Sequence, residues 1–137
     1  MSLWVSLHTH SQYSILDSTL SVKALAKKAK ELGMESIALT DSGNLFGAID
    51  FYKACKAEGV HPIIGIELMV APLELSLKKK VEGEIGQTLI FLVKDEIGYS
   101  NLCKLSSIAH LEGFYYVPRI DRSLIEKHHE GLICLFC

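Results

Sequence analysis

Between residues 1 and 70 the chain switches repeatedly between two hydrophobic rhythms, and that switching restricts the folds open to it. Short runs of strand formers at 3–7, 36–40 and 62–69 are separated by stretches whose apolar residues recur at helical spacing. In the first such stretch Ser21 is placed to cap. Val22, Leu25, Ala26, Ala29 and Leu32 then share one face, with Lys23, Lys27, Lys28 and Lys30 opposite and Gly33 as the stop. The second stretch, 45–56, repeats through Phe46, Ile49, Phe51, Tyr52 and Cys55, and Gly59 closes it. Strand, helix, strand, helix, strand predicts an α/β fold with crossover connections and a parallel sheet or barrel. The run at 36–40 is almost wholly apolar, as expected of a strand covered on both faces.

Beyond residue 70 the pattern loosens. Residues 72–87 carry Lys78, Lys79, Lys80, Glu82, Gly83, Glu84 and Gly86, which mark an exposed connection or a hairpin. The lysine triplet suits a solvated loop, with phosphate contact as the alternative. A fourth strand is expected at 88–93 and a helix at 97–110, with Leu102, Leu105, Ile108 and Ala109 inward. A loop follows with Gly113, Phe114, Tyr115, Tyr116 and Pro118. Asp121 can cap a short helix running through His129, and 131–136 reads as a fifth strand.

The length of 137 residues sets one domain or a piece of one, and 49% hydrophobic with 22% charged residues excludes a disordered chain. A net charge of −2 gives no general attraction to nucleic acid or anionic membranes. No apolar run approaches the ~20 residues of a membrane span, and no signal peptide opens the chain. Cys55 and Cys103 fall in helical patterns. Cys134 and Cys137 form a C-x-x-C within an apolar run without a second pair, which reads as a buried strand rather than a zinc or redox motif. Mostly buried, unbridged cysteines point to a reducing cytoplasm.

The chemistry-bearing residues stand at strand ends. His8 and His10 follow the first run, and their spacing puts both imidazoles on one face of an extended chain. Asp41 follows the second run, and Glu67 lies near the end of the third. In parallel β/α folds these ends gather on one face, where sites are built. Two imidazoles and two carboxylates suit zinc, manganese or iron. His110 opens a loop that can return to that face, and Asp17 sits in the loop at 11–20. Each residue also has a plainer role. Asp41 can cap or satisfy a turn, Glu67 can pair with a lysine, and Asp17 can hold its own backbone. His61, His128 and His129 suit solvated positions.

The run Leu-His-Thr-His-Ser-Gln-Tyr-Ser-Ile-Leu-Asp at 7–17 resembles the opening motif of PHP domains (polymerase and histidinol phosphatase). Its H-x-H-S-x-Y-S-x-L-D form is similar to that of the N-terminal PHP domains of bacterial DNA polymerase III alpha subunits. The segments 38–52, 62–67, 98–107 and 111–121 resemble the same group, in the right order. The resemblance implies a distorted β/α barrel of the TIM-barrel-like PHP type, of which 1–137 is the N-terminal part, cut about midway. Later barrel strands, later metal ligands and the polymerase domains would lie outside it.

Carried over position by position, the resemblance gives His8, His10, Glu67, and with less support Asp17, Asp41 and His110. Metal-competent members carry histidine where this chain has Ser42 and Thr88, and hydroxyls are poor zinc ligands beside imidazole. The implied function is a scaffold or docking module with a degenerate site for zinc, manganese or iron. The parent enzyme would be a nucleotidyltransferase that extends DNA with magnesium. The implied partners are the other domains of the same polymerase chain, its proofreading exonuclease subunit, and DNA through the parent protein. One rival reading is an active metal-dependent phosphoesterase or 3′–5′ exonuclease. Another is a free-standing histidinol-phosphatase-like enzyme, which the segments at 98–121 disfavour. Half a barrel would also leave open strand edges, so self-association is expected of the isolated chain.

Overall fold

A computed structural model describes residues 4–136. The element order is α1 (Val22–Glu31), β1 (Ser36–Leu39), α2 (Ala48–Glu58), β2 (His61–Val70), β3 (Gln87–Val93), α3 (Glu96–Leu111), β4 (Arg119–Ile120), α4 (Arg122–His128) and β5 (Leu132–Phe136). α1 begins where Ser21 accepts a hydrogen bond from the Ala24 N–H, α3 where Asp95 accepts from Gly98, and α4 where Asp121 accepts from Leu124. α2 starts at Ala48, later than its apolar spacing suggests. The Asn44 side chain accepts from the Phe46 N–H and donates to the carbonyls of Tyr13 and Ser42, which turns residues 44–46 away from helix.

β2 is the spine of the sheet. Its first half pairs in parallel with β1, from Ser36 opposite His61 to Leu39 opposite Ile64. Its second half pairs with β3 on one side and with the short parallel β4 on the other. β5 pairs with β3, from Val93 opposite Leu132 to Leu89 opposite Phe136, and ends the row.

The parallel pairing expected from residues 1–70 holds for β1 and β2, and the sheet as a whole is mixed: β3 runs antiparallel to both β2 and β5. The connection from β2 to β3 contains no helix, only turns that include a tight bridge between Val81 and Glu84, so the chain returns beside β2 in the opposite sense. The first apolar run is not a strand. Residues 4–10 lie beside β1, with the Ala38 N–H donating to Ser6 O (2.9 Å) and the Thr40 N–H to Thr9 O (2.8 Å). The Thr9 N–H, however, is taken by the Thr40 hydroxyl at 2.9 Å, so a side chain interrupts the ladder. Leu3 lies outside the described residues.

Strand alternation divides β2 between two faces. Ile64, Ile66 and Leu68 face the helices. They contribute to a cluster with α1 and α2 around Phe51 and Cys55, and to a second with α3 around Phe91, Leu102 and Leu105. Glu67 alternates to the opposite face, on the side of the sheet where Ala38, Ile90 and Leu92 form a small cluster. Cys55 is buried and Cys103 half-buried. Cys134 is exposed on β5, contrary to the buried strand expected there, because no helix covers it; Cys137 lies outside the described residues. Among the described residues no helix is long and apolar enough to cross a membrane.

Candidate metal centre

The main-chain pairing of β1 and β2 continues past the end of β1. The Glu67 N–H donates to Asp41 O at 3.0 Å and the Gly43 N–H to Glu67 O at 2.8 Å. This sets Ser42 beside Glu67. The Ser42 hydroxyl donates to Glu67 Oε1 at 2.8 Å. From the other side His8 Nε2 lies 2.6 Å and His10 Nε2 2.9 Å from Glu67 Oε2. The two imidazoles meet edge to face, with ring centres 5.1 Å apart. Both therefore project to one side, as their spacing predicts, although the segment carrying them is irregular.

Glu67 is the hub. Burial raises its carboxyl pKa, but hydrogen bonds from Ser42, His8 and His10 and the adjacent His10 charge outweigh burial and hold it below its ordinary value. The ionised form thus persists with only 17% of the side chain exposed. On the Ser42 side a cavity of about 160 Å³ opens, lined by Ser42, Gly43, Glu67, Met69, Thr88, Val117 and Pro118.

One donor atom from each of His8, His10 and Glu67 lies within 4.8 Å of the others, close enough to converge on one ion. Two neutral imidazoles with a carboxylate fit zinc, manganese or iron, and three ligands leave a position open to water. The other sequence candidates stand apart. Asp41 is 1% exposed and its oxygens are engaged: Oδ1 accepts from the Ser11 N–H (2.6 Å) and the Ser14 hydroxyl (2.7 Å), Oδ2 from the Ser11 hydroxyl (2.7 Å). Asp17 is exposed in the loop, with its N–H donating to Ser14 O. His110 donates from Nε2 to the Gly43 carbonyl at 2.6 Å, which ties the end of α3 to the loop after Ser42. Ser11 and Ser14 are the residues that sequence reasoning missed. They lie in the quoted motif, but nothing local says that both turn onto a carboxylate some 30 positions later.

Two histidines from the irregular segment beside β1 and a glutamate from β2 thus form a candidate metal site on one face of an α/β sheet, and comparison with known proteins gives the family. The PHP domain model matches residues 6–137, and the chain belongs to that family. It is 57% identical over 133 residues to the DNA polymerase III subunit alpha of Chlamydia muridarum, covering 96% of this chain and 11% of the relative. It is 53% identical over 134 residues to that of Borreliella burgdorferi, covering 97% and 12%. The chain thus spans about a tenth of the length of these relatives. Two solved structures share the fold. One is a Bifidobacterium adolescentis protein provisionally assigned as a metal-dependent phosphoesterase (TM-score 0.57, 16% identity, 79% of this chain and 34% of that one). The other is an amidohydrolase of Chromobacterium violaceum (TM-score 0.57, 20% identity, 77% and 32%).

Proposed function

We propose that the chain is the front part of the PHP domain of a replicative polymerase alpha subunit, and that its site is degenerate and its role supportive. The polymerase itself would extend DNA with magnesium from other parts of the chain. Those other domains are the partners this reading implies, with the proofreading exonuclease subunit as a docked protein and the cytoplasm as the setting. The observation that carries it is the Ser42 hydroxyl on Glu67 Oε1 at 2.8 Å. A hydroxyl satisfies that oxygen without supplying a metal ligand of imidazole quality. Thr88 repeats the loss across the same cavity.

What remains is a single three-donor position: His8 Nε2, His10 Nε2 and Glu67 Oε2 would hold the ion. A metal bound there supplies charge that polarises a phosphoryl oxygen and acidifies bound water. The protein's own part is positional. Ser42 fixes the Glu67 carboxylate, Glu67 orients both imidazoles, and Asp41 holds the loop that carries His10. The survival of that triad favours the second reading, an active phosphoesterase or 3′–5′ exonuclease.

Elemental analysis separates the two, in this chain and in the full-length subunit, beside a His8→Ala/His10→Ala double variant. Substoichiometric zinc, manganese and iron is expected, with hydrolysis of bis-p-nitrophenyl phosphate no faster than in the double variant. Near-stoichiometric metal that the double variant loses, together with hydrolysis that it also loses, would overturn the scaffold reading.

A further inference from the structure

The helix-bearing face of the sheet carries two apolar clusters, one under α1 and α2 and one under α3. Topology explains the gap between them. A parallel connection delivers a crossover helix to the outer layer. β2 and β3 are antiparallel, and residues 71–86 between them contribute no helix. The outer layer is therefore one helix short above this strand pair.

The vacancy is an open groove of about 610 Å³. Ile64 of β2 and Val93 of β3 form its floor, with Ile49 and Tyr52 of α2 on one wall and Tyr99 of α3 on the other. Ile49 is 58% and Tyr52 48% exposed. The charge in the lining is negative and confined to one end, where Asp95 and Glu96 begin α3. The groove lies on the sheet face opposite Glu67, so it does not belong to the metal centre.

The geometry points to a docking site for a short amphipathic helix of a partner protein. Its apolar face fills the vacant layer position, and lysine or arginine at one end meets Asp95 and Glu96. Helix-in-groove recognition uses such a surface, and half-exposed tyrosines are frequent anchors within it. A second copy of the chain does not fit, because it has no helix to offer. α1, α2 and α3 bury residues against the sheet, and α4 packs Leu124 and Ile125 into the cluster under α3.

The test uses a fluorescein-labelled Leu/Lys amphipathic helical peptide as probe, a Leu/Glu peptide of the same pattern as control, and anisotropy as readout. Saturable binding of the Leu/Lys peptide is expected, with about a tenfold loss on Tyr52→Ala, as for an interface anchor. Glu96→Gln should weaken binding and flatten its salt dependence. Ile133→Ser, on the opposite face, should change nothing. Amide shift mapping on the unmodified chain removes dependence on any variant's folding, and the shifts should centre on Ile49, Ile64 and Val93. The proposal fails if the Leu/Lys peptide does not bind, if the Leu/Glu peptide binds equally, or if the shifts fall elsewhere. It also fails if the chain self-associates through these residues, since the occupant is then a second copy.

Discussion

At the scale of single residues, the most deeply buried carboxylate among the described residues is Asp41 rather than Glu67. It is 1% exposed and accepts from the Ser11 N–H and from the hydroxyls of Ser11 and Ser14, while Ser14 Oγ in turn accepts from the Ser42 N–H at 3.0 Å. Among the described residues no lysine or arginine forms a salt bridge with it, so these donors carry the compensation for its burial. Asp41→Ala strands buried donors at about 1–3 kcal/mol each, less what the hydroxyls regain by rotating, so a loss of about 3 kcal/mol is expected. Asp41→Asn keeps one acceptor oxygen and should lose about half as much. Urea midpoints at constant slope measure both. A midpoint for Asp41→Ala within experimental error of the unmodified chain would remove Asp41 as organiser of the loop. This network was legible only in part. Asp41 stands out because it breaks an apolar strand, and turn satisfaction is the plainer reading that the geometry matches. Ser11 and Ser14 carry no such mark, because their acceptor is remote in sequence.

At the scale of elements, periodicity located nearly every helix and strand because burial imposes it. α1, with Val22, Leu25, Ala26 and Ala29 all buried, is the clearest case. Strand direction left no such trace. An apolar run reads the same in a parallel or an antiparallel ladder, so the strand pattern at 88–93 left the sense of β3 open, and the helix-free connection before it sets that sense as antiparallel to β2. The latch between α3 and β5 is likewise silent in sequence. The Lys94 N–H donates to Gly131 O and Asn101 Nδ2 to Glu130 O, each at 2.9 Å, which pins the first turns of α3 to the turn that opens β5. Contact is so close that a Cβ at Gly98 would run into the Gly131 carbonyl. Gly98→Ala must therefore push the two elements apart. A destabilisation of about 1–3 kcal/mol is expected despite alanine's better helix propensity. Faster amide exchange along β5 than along β2 in the variant would show that the latch, rather than the helix, has given way. A stabilised Gly98→Ala chain would show that no close contact exists there.

At the scale of the whole molecule, the sheet is left open at β5 among the described residues. That strand hydrogen-bonds to β3 along one edge only among the described residues, and its sequence Leu-Ile-Cys-Leu-Phe has no charge, proline or bulge to discourage a further partner. Ile133 is 47% and Phe136 81% exposed, on opposite faces of the strand, so pairing there would cover apolar surface above and below the sheet at once. With a net charge of only −2, repulsion between copies is weak. The isolated chain should therefore self-associate through β5 at tens of micromolar, as an antiparallel pair of edges related by a two-fold axis. Sedimentation velocity across a concentration series reads this directly, and Cys134→Lys, which puts a charge on the strand without disturbing its main-chain donors, should restore the monomer. A concentration-independent monomer in the unmodified chain would mean that solvent satisfies the edge and that its apolar faces are too small to drive pairing. Self-association unmoved by Cys134→Lys would place the contact elsewhere than on the β5 edge.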